Sequence, residues 1–372
     1  MDEPDRRDGA SPDDATRARG LTRRELLRGG AGALAATALP GCRRAGLDLP
    51  PGRRLASWLA VGDTGDPHGL EGRMASQWLV ARAMAEQHRA APVDGLLLLG
   101  DHFYPDGLAR ADFEQRVGDQ IVAPYRDFVT LSERGRRLYG AAAEPERPTR
   151  ILAVLGNHDY DRPESPGLQV DGISGLVDSW HMPEAETSTV DLGHGARVAL
   201  LHQHQWGKRE ARKLAAALAE EPADFWIVAG HYPLLAMGGH HAHWVERKLR
   251  AIYREAARPV HLQIAGHEHN LQLLREPGPG PALHAIAGGG SNTSEILPTG
   301  ATREVGLDAL GFARIDVVGE RRAEALRVSL FAVDRTTPWL APAGRRVATS
   351  WIDRDARVRT EVAAAQKPRS VA

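Results

Sequence analysis

The sequence predicts an α/β fold built on a mixed sheet or on two stacked sheets, and three features of the chain predict it. Short apolar runs alternate with helical stretches through two successive halves. Further apolar runs then follow one another without long helices between them, which a purely parallel sheet does not accommodate. Five of the runs end in glycine followed by a residue able to bind a metal, as expected of strands whose carboxyl ends line one crevice.

In the first half the order is LASWLAV (55–61), a helix over 72–90, GLLLL (95–99), a helix over 111–128 and ILAVL (151–155). These runs are apolar at successive positions, the mark of strands buried on both faces. The second half repeats the rhythm with ARVALLH (196–202), a helix over 208–220, DFWIVA (224–229), a helix over 244–257 and VHLQIA (260–265). LHAIAG, GFARIDVV and ALRVSLFAV close the series as strands.

The chain has 372 residues, 42% of them hydrophobic, enough for a substantial core. Lys+Arg 47 against Asp+Glu 48 leaves a net charge of −1, so no basic field argues for nucleic acid and no acidic excess for disorder. Residues 1–53 read as a polar leader, a twin-arginine-type signal and a linker. Arg23-Arg24 precede a short Gly/Ala/Leu segment too weakly apolar for a stable span, which implies use of the twin-arginine export machinery. Leu39-Pro40-Gly41-Cys42 resembles a lipoprotein cleavage box, with the only cysteine at the position that would be lipidated. The expectation is a protein exported across the bacterial cytoplasmic membrane, either periplasmic or tethered to the membrane through Cys42. Residues 54–340 are read as the catalytic domain, and 341–372, whose charges show no clear period, as a helical or frayed C-terminal appendage. The oligomeric state has no sequence signal.

The five strand ends carry Gly62-Asp63, Gly100-Asp101, Gly156-Asn157-His158, Gly230-His231 and Gly266-His267-Glu268-His269, and Tyr104 stands three residues after Asp101. A single Gly-Asp is more often a turn than a ligand. Two carboxylates, a carboxamide, three histidines and a phenol, in order at successive strand ends, suit two metals sharing a bridging carboxylate. Such a pair clamps an in-line displacement and lowers the pKa of bound water, the machinery of phosphoester hydrolysis.

The ordered set GD, GDxxY, GNH, GHYP and GHxH resembles the calcineurin-type metallophosphoesterases, and within them the purple acid phosphatases of the tartrate-resistant type, over residues from about 55 to 320. Where most of that superfamily carries Asp-x-His, this chain has Asp63-Thr64-Gly65, and Tyr104 appears after the second aspartate. A phenol of ordinary pKa about 10 ionises as a ligand only beside a strongly acidic ion such as Fe(III). Tyr104 also has a plainer reading, as an aromatic cap over the sheet mouth.

The resemblance implies a four-layer αββα sandwich of two stacked mixed sheets. By analogy, Asp63, Tyr104, His269 and bridging Asp101 hold Fe(III), while Asp101, Asn157, His231 and His267 hold a divalent Fe, Zn or Mn. It implies an acid phosphatase-like hydrolase cleaving phosphomonoesters by attack of a metal-bound hydroxide, best at acidic to neutral pH. His158 corresponds to a substrate-contacting histidine, or to a group that orients the site. In GGHHAHW (238–244), His240 matches the family's acid histidine best by spacing, with His243 the second candidate and a noncatalytic His-rich loop the alternative.

Asp66 is set aside in favour of Asp63, and Asp159 is read as orienting the loop or a ligand histidine. His202 and His204 lie outside the ligand pattern and read as substrate contacts or simple polarity; GGGSNTS (288–294) reads as a glycine turn or a phosphate cradle. Two other functions share these features: a phosphodiesterase or nucleotidase on the same dinuclear centre, and a noncatalytic surface protein using the fold as a binding scaffold. Presence of the whole ligand set favours catalysis.

Overall fold

Alternate residues of the central strands enter different cores, which is why their sequences are apolar throughout. The computed structural model describes residues 52–65, 76–140, 145, 147–240, 243–297, 302–335 and 344–363. The chain runs β1 (Arg53–Val61), α1 (Ser76–Ala90), β2 (Gly95–Leu98), α2 (Phe113–Val117), α3 (Glu133–Tyr139), β3 (Arg150–Ala153), β4 (Trp180–His181), β5 (Thr187–Gly193) and β6 (Ala196–Leu201). It continues through α4 (Lys208–Glu220), β7 (Phe225–Gly230), α5 (His243–Glu255), β8 (Leu262–Ala265), β9 (Leu271–Arg275) and β10 (Leu283–Ala287). β11 (Thr302–Leu307), β12 (Leu310–Gly319), β13 (Ala325–Val333), β14 (Arg345–Asp353) and β15 (Val358–Val362) complete it.

One sheet has the order β15-β14-β13-β12-β1-β2-β3-β4, the other β11-β9-β10-β8-β7-β6-β5. Both are mixed: β1 to β4 are mutually parallel and β12 to β15 antiparallel, while β6, β7, β8 and β10 are parallel with antiparallel neighbours at the flanks. Trp58, Ala60, Leu97 and Leu152 pack with Val198, Leu200, Ile227 and Ile264, so one core lies between the sheets. Leu59, Val61, Leu96 and Leu98 face the other way, against Val80 and Met84 of α1. On the far side Leu201, Trp226 and Val228 meet Leu214 and Leu218 of α4 and Val245 and Leu249 of α5. The result is the predicted sandwich of two stacked mixed sheets with helices outside.

The predicted helix over 111–128 is broken. α2 ends at Val117, and Gly118 opens a turn of π-helix, with the Tyr139 ring where its Cβ would stand, 2.8 Å from Cε1. The periodicity also does not mark β5, β9 or β11, which depend on antiparallel partners elsewhere in the chain.

The reading of 341–372 as a helical or frayed appendage is corrected. Residues 345–353 and 358–362 are strands of the eight-stranded sheet, and Val347, Ala348 and Ile352 are buried in the core between the sheets. The reason is a β-bulge: Leu330 pairs with Ala348 but Phe331 with Arg346, so Val347 is an extra residue that breaks the two-residue alternation. The leader, Arg23-Arg24 and Cys42 lie outside the described residues, and β1 begins at Arg53. No helix among the described residues is long and apolar enough to cross a membrane.

Because Ile352 is wholly buried, Ile352→Ala will destabilise the protein by about 2–5 kcal/mol in urea unfolding. A frayed appendage would show a change within about 0.5 kcal/mol.

Candidate metal centre

β1, β2 and β3 of one sheet and β7 and β8 of the other carry the candidate residues just beyond their carboxyl ends. Asp63 follows β1, Asp101 and Tyr104 follow β2, and Asn157 and His158 follow β3; His231 follows β7, and His267 and His269 follow β8. The glycines that precede them leave space for a neighbour's ligand. A Cβ on Gly156 would stand 2.2 Å from Asp101 Oδ1, and one on Gly266 2.6 Å from Asp63 Oδ2.

Asp63, Asp101 and His267 adopt positive φ (58°, 53° and 69°), which for non-glycine residues costs of order 1–3 kcal/mol each. Each has its amide satisfied. Asp63 donates to the Gly100 carbonyl at 2.9 Å, Asp101 to Asp159 Oδ2 at 2.9 Å and His267 to Asp63 Oδ2 at 2.8 Å. Asp159 is wholly buried and also accepts from the amides of His102 (3.1 Å) and Gly156 (2.8 Å) and from Gln169 Nε2 (2.9 Å). It therefore ties the ends of β2 and β3 together. Burial alone would raise its pKa, but His102 and these donors hold the carboxyl down at about 2.

The interior of the site is rich in acceptors. His231 donates Nδ1–H to the Leu99 carbonyl at 2.9 Å, which leaves Nε2 a lone pair directed inward. Around that lone pair stand Asn157 Oδ1 at 2.9 Å, His267 Nδ1 at 3.1 Å and Asp101 Oδ2 at 3.4 Å. On the other side the Tyr104 hydroxyl lies 3.1 Å from Asp101 Oδ2, 3.3 Å from Asp63 Oδ1 and 3.1 Å from His269 Nε2. Ligand atoms of Asp63, Asp101 and His231 all lie within 4.8 Å of one another. One proton satisfies one such pair of acceptors; multivalent cations satisfy all of them.

The titration balance has the same cause. Burial, then the charges of Asp63 and Asp159, raise the Asp101 carboxyl well above its ordinary value, and burial with Asp63 and Asp101 does the same to the Tyr104 phenol. Burial lowers His231, and burial followed by His231 lowers His267 to about 2, which in both favours the neutral imidazole. Burial works against a charged His269, but the hydrogen bond and charge of Asp63 raise it. Neutral imidazoles beside crowded carboxylates are a donor set suited to metal, with Asp101 lying between the two groups of ligands.

His158 is half-buried. Its amide donates to Asp101 Oδ1 at 3.0 Å, Nδ1 lies 2.5 Å from the Pro105 carbonyl, and its ring meets the Tyr104 ring edge-on at 4.7 Å. His240 is exposed, its ring centroid 5.7 Å from that of His267 and 6.2 Å from that of His269. His243 begins α5, and its side chain lies outside the described residues, as does Asp66. His202 is buried polarity: Nδ1 accepts from the Leu155 amide and Nε2 donates to the Pro183 carbonyl. Ser291 of the glycine-rich loop donates to the Asp63 carbonyl at 2.7 Å, so that loop braces Asp63.

Two residues of consequence lack a clear sequence signal. Glu268, wholly buried between the two histidines of GHEH, accepts from the His240 amide at 2.8 Å and holds Oε2 3.5 Å from His240 Nδ1. Arg116 donates to the carbonyls of Tyr104 (2.6 Å) and Gly107 (2.5 Å), fixing the segment that carries the phenol. Glu268 is marked only by its place in the motif, and Arg116 by nothing local.

The calcineurin-like phosphoesterase family pattern matches residues 59–271. Human tartrate-resistant acid phosphatase type 5 is 26% identical over 241 residues, which cover 59% of this chain and 68% of that one. Among solved structures, the purple acid phosphatase PPD1 of yellow lupin (Lupinus luteus) seeds superposes with a TM-score of 0.51 at 15% identity, over 74% of this chain and 51% of that one. GAP50, the anchor in the inner membrane complex of Plasmodium, gives 0.57 at 14% identity, over 85% and 91%. Both structural likenesses show the fold.

The close approach at Gly156 predicts that Gly156→Ala will cost about 1–3 kcal/mol in urea unfolding through overpacking against Asp101. Gly175→Ala, where a Cβ meets nothing within 4 Å, will shift stability by no more than about 1 kcal/mol.

Proposed function

The chain belongs to the calcineurin-like phosphoesterase family of dinuclear-metal-dependent hydrolases acting on phosphoester bonds, and from that premise we propose that it is an exported, acid phosphatase-like enzyme acting on phosphomonoesters. The observation that carries this reading is the convergence of the Tyr104 hydroxyl on Asp63, Asp101 and His269. The single proton of the phenol can serve only one of these acceptors at a time, whereas a strongly acidic cation that draws it off would be bound by all four groups. On this reading Asp63, Tyr104, His269 and Asp101 would hold Fe(III), and Asp101, Asn157, His231 and His267 a divalent Fe, Zn or Mn. When bound, the two metals supply Lewis acidity to the phosphoryl oxygens and activate water as the nucleophile.

The chain's own groups account for the remaining steps. Asp159 and Arg116 keep Asp101 and Tyr104 in place by holding backbone rather than side chain. His158, anchored through Nδ1 to the Pro105 carbonyl, offers Nε2 to a phosphate oxygen. His240 turns Nδ1 toward Glu268, so Nε2 is the atom that gives a proton to the leaving oxygen. Its ring lies near both His267 and His269, which supports His240 as the acid; His243 is the second candidate. Paired arginines, a short apolar segment and Cys42, in that order, support export and a membrane tether.

Purified protein beginning after Cys42 will carry two metals per chain and a visible tyrosinate-to-iron band that disappears in Tyr104→Phe. A colourless protein with two metals would overturn the ferric assignment and favour the phosphodiesterase reading. In the same preparation His240→Ala will slow hydrolysis of alkyl phosphates roughly 100-fold more than of esters with good leaving groups; equal losses would exclude it as the acid. Cell fractionation tests the tether: Cys42→Ser will move the exported protein from the membrane to the soluble periplasmic fraction, and an unchanged distribution would rule out acylation there.

A further inference from the structure

The Asn157, His231 and His267 side of the centre borders a row of rings to which the reading above gives no role. Tyr232, next to His231 in the chain, stands edge-on to His267 with centroids 4.7 Å apart at 71°. Its hydroxyl lies 2.8 Å from Nδ1 of His204. His204 is exposed and stacks on half-buried Tyr160 at 4.8 Å and 21°. Tyr160 in turn donates its amide to the Asn157 carbonyl at 3.0 Å. The row therefore starts at one candidate ligand, reaches solvent, and returns to another.

Its charge is distinctive. The phenols of Tyr160 and Tyr232 are neutral at their ordinary pKa of about 10, and burial lowers the imidazole of His204. The charged groups acting on them are acidic: Asp161 on His204, Asp101 and then Asp161 on Tyr232, and Glu186 and then Asp159 on Tyr160. Lys248, whose ammonium lies over the Trp244 ring behind Tyr232, is committed to the Trp206 carbonyl. A second phosphate or a carboxylate placed here would meet carboxylates and the negative faces of rings. A flat uncharged or cationic ring would find an aromatic surface that borders His267, which His240 also borders.

We propose that the Tyr160–His204 stack is the leaving-group subsite, and that it selects phosphomonoesters whose alcohol carries a flat uncharged or cationic ring over aliphatic and polyanionic esters. This inference rests on the phosphatase reading. It concerns residues outside the candidate ligand set and distinct from His158 and His240.

The test uses metal-loaded enzyme and two esters of primary alcohols, benzyl phosphate and butyl phosphate, so that leaving-group basicity is comparable and the ring is the difference. Wild type will prefer the benzyl ester in kcat/KM. Tyr160→Ala and His204→Ala will each reduce the benzyl-to-butyl ratio about threefold to tenfold, chiefly through KM, and Tyr160→Phe will keep the ratio. A ratio that is the same in wild type, Tyr160→Ala and His204→Ala overturns the subsite while leaving the phosphatase reading standing. Hydrolysis of neither ester by wild type overturns the phosphatase reading, and the subsite with it.

Discussion

The close approach of strand ends from two sheets is the constraint on which the rest of this molecule depends. The Asp101 carboxylate occupies the space over Gly156, and the Asp63 carboxylate the space over Gly266 and Gly288. No side chain larger than hydrogen fits beneath either group without displacement. The left-handed turns at Asp63, Asp101 and His267 follow from the same geometry, since each chain must reverse at once to leave its ligand in the shared space. Asp159 secures this arrangement by accepting amides from both the β2 and β3 ends.

Concentrating carboxylates in that space is unfavourable without compensation. Taking an ion out of water costs several kcal/mol even after relaxation, and Asp63 and Asp101 are both buried. Backbone donors meet part of the cost: His267 and His158 give their amides to the two carboxylates. The inward lone pair of His231 adds electron density instead of relieving it. A site of this composition couples cation binding to its own stability, because the cation supplies the charge balance that the protein withholds.

The surroundings of the centre are of two kinds. His158 stands beside Tyr104 and His240 near both His267 and His269, each with Nδ1 directed to an acceptor. Beyond His231 and His267 stand the rings of Tyr232, His204 and Tyr160. Glu268, between His267 and His269, and Gln272 of β9 hold the segment bearing His240 through the amides of His240 and Met237.

The candidate ligands were legible because a strand end is a local event. An apolar run, a glycine and a ligand are consecutive in the chain, and five repetitions of that order define the crevice without knowledge of any contact. The two-core burial was legible for the same reason, since β1, β2 and β3 carry apolar residues at consecutive positions, as in Leu59-Ala60-Val61, Leu96-Leu97-Leu98 and Ile151-Leu152-Ala153. Tertiary structure alone decided why the glycines are needed, because the atoms that exclude a Cβ at Gly156 come from another strand. It also decided that the C-terminal segment is sheet, since the bulge at Val347 has meaning only against β13. Arg116, Glu268 and the row from Tyr232 to Tyr160 belong to that second category. Each acts on groups brought close by strand order and register, and sequence spacing carries no trace of a neighbour that arrives from a different part of the chain.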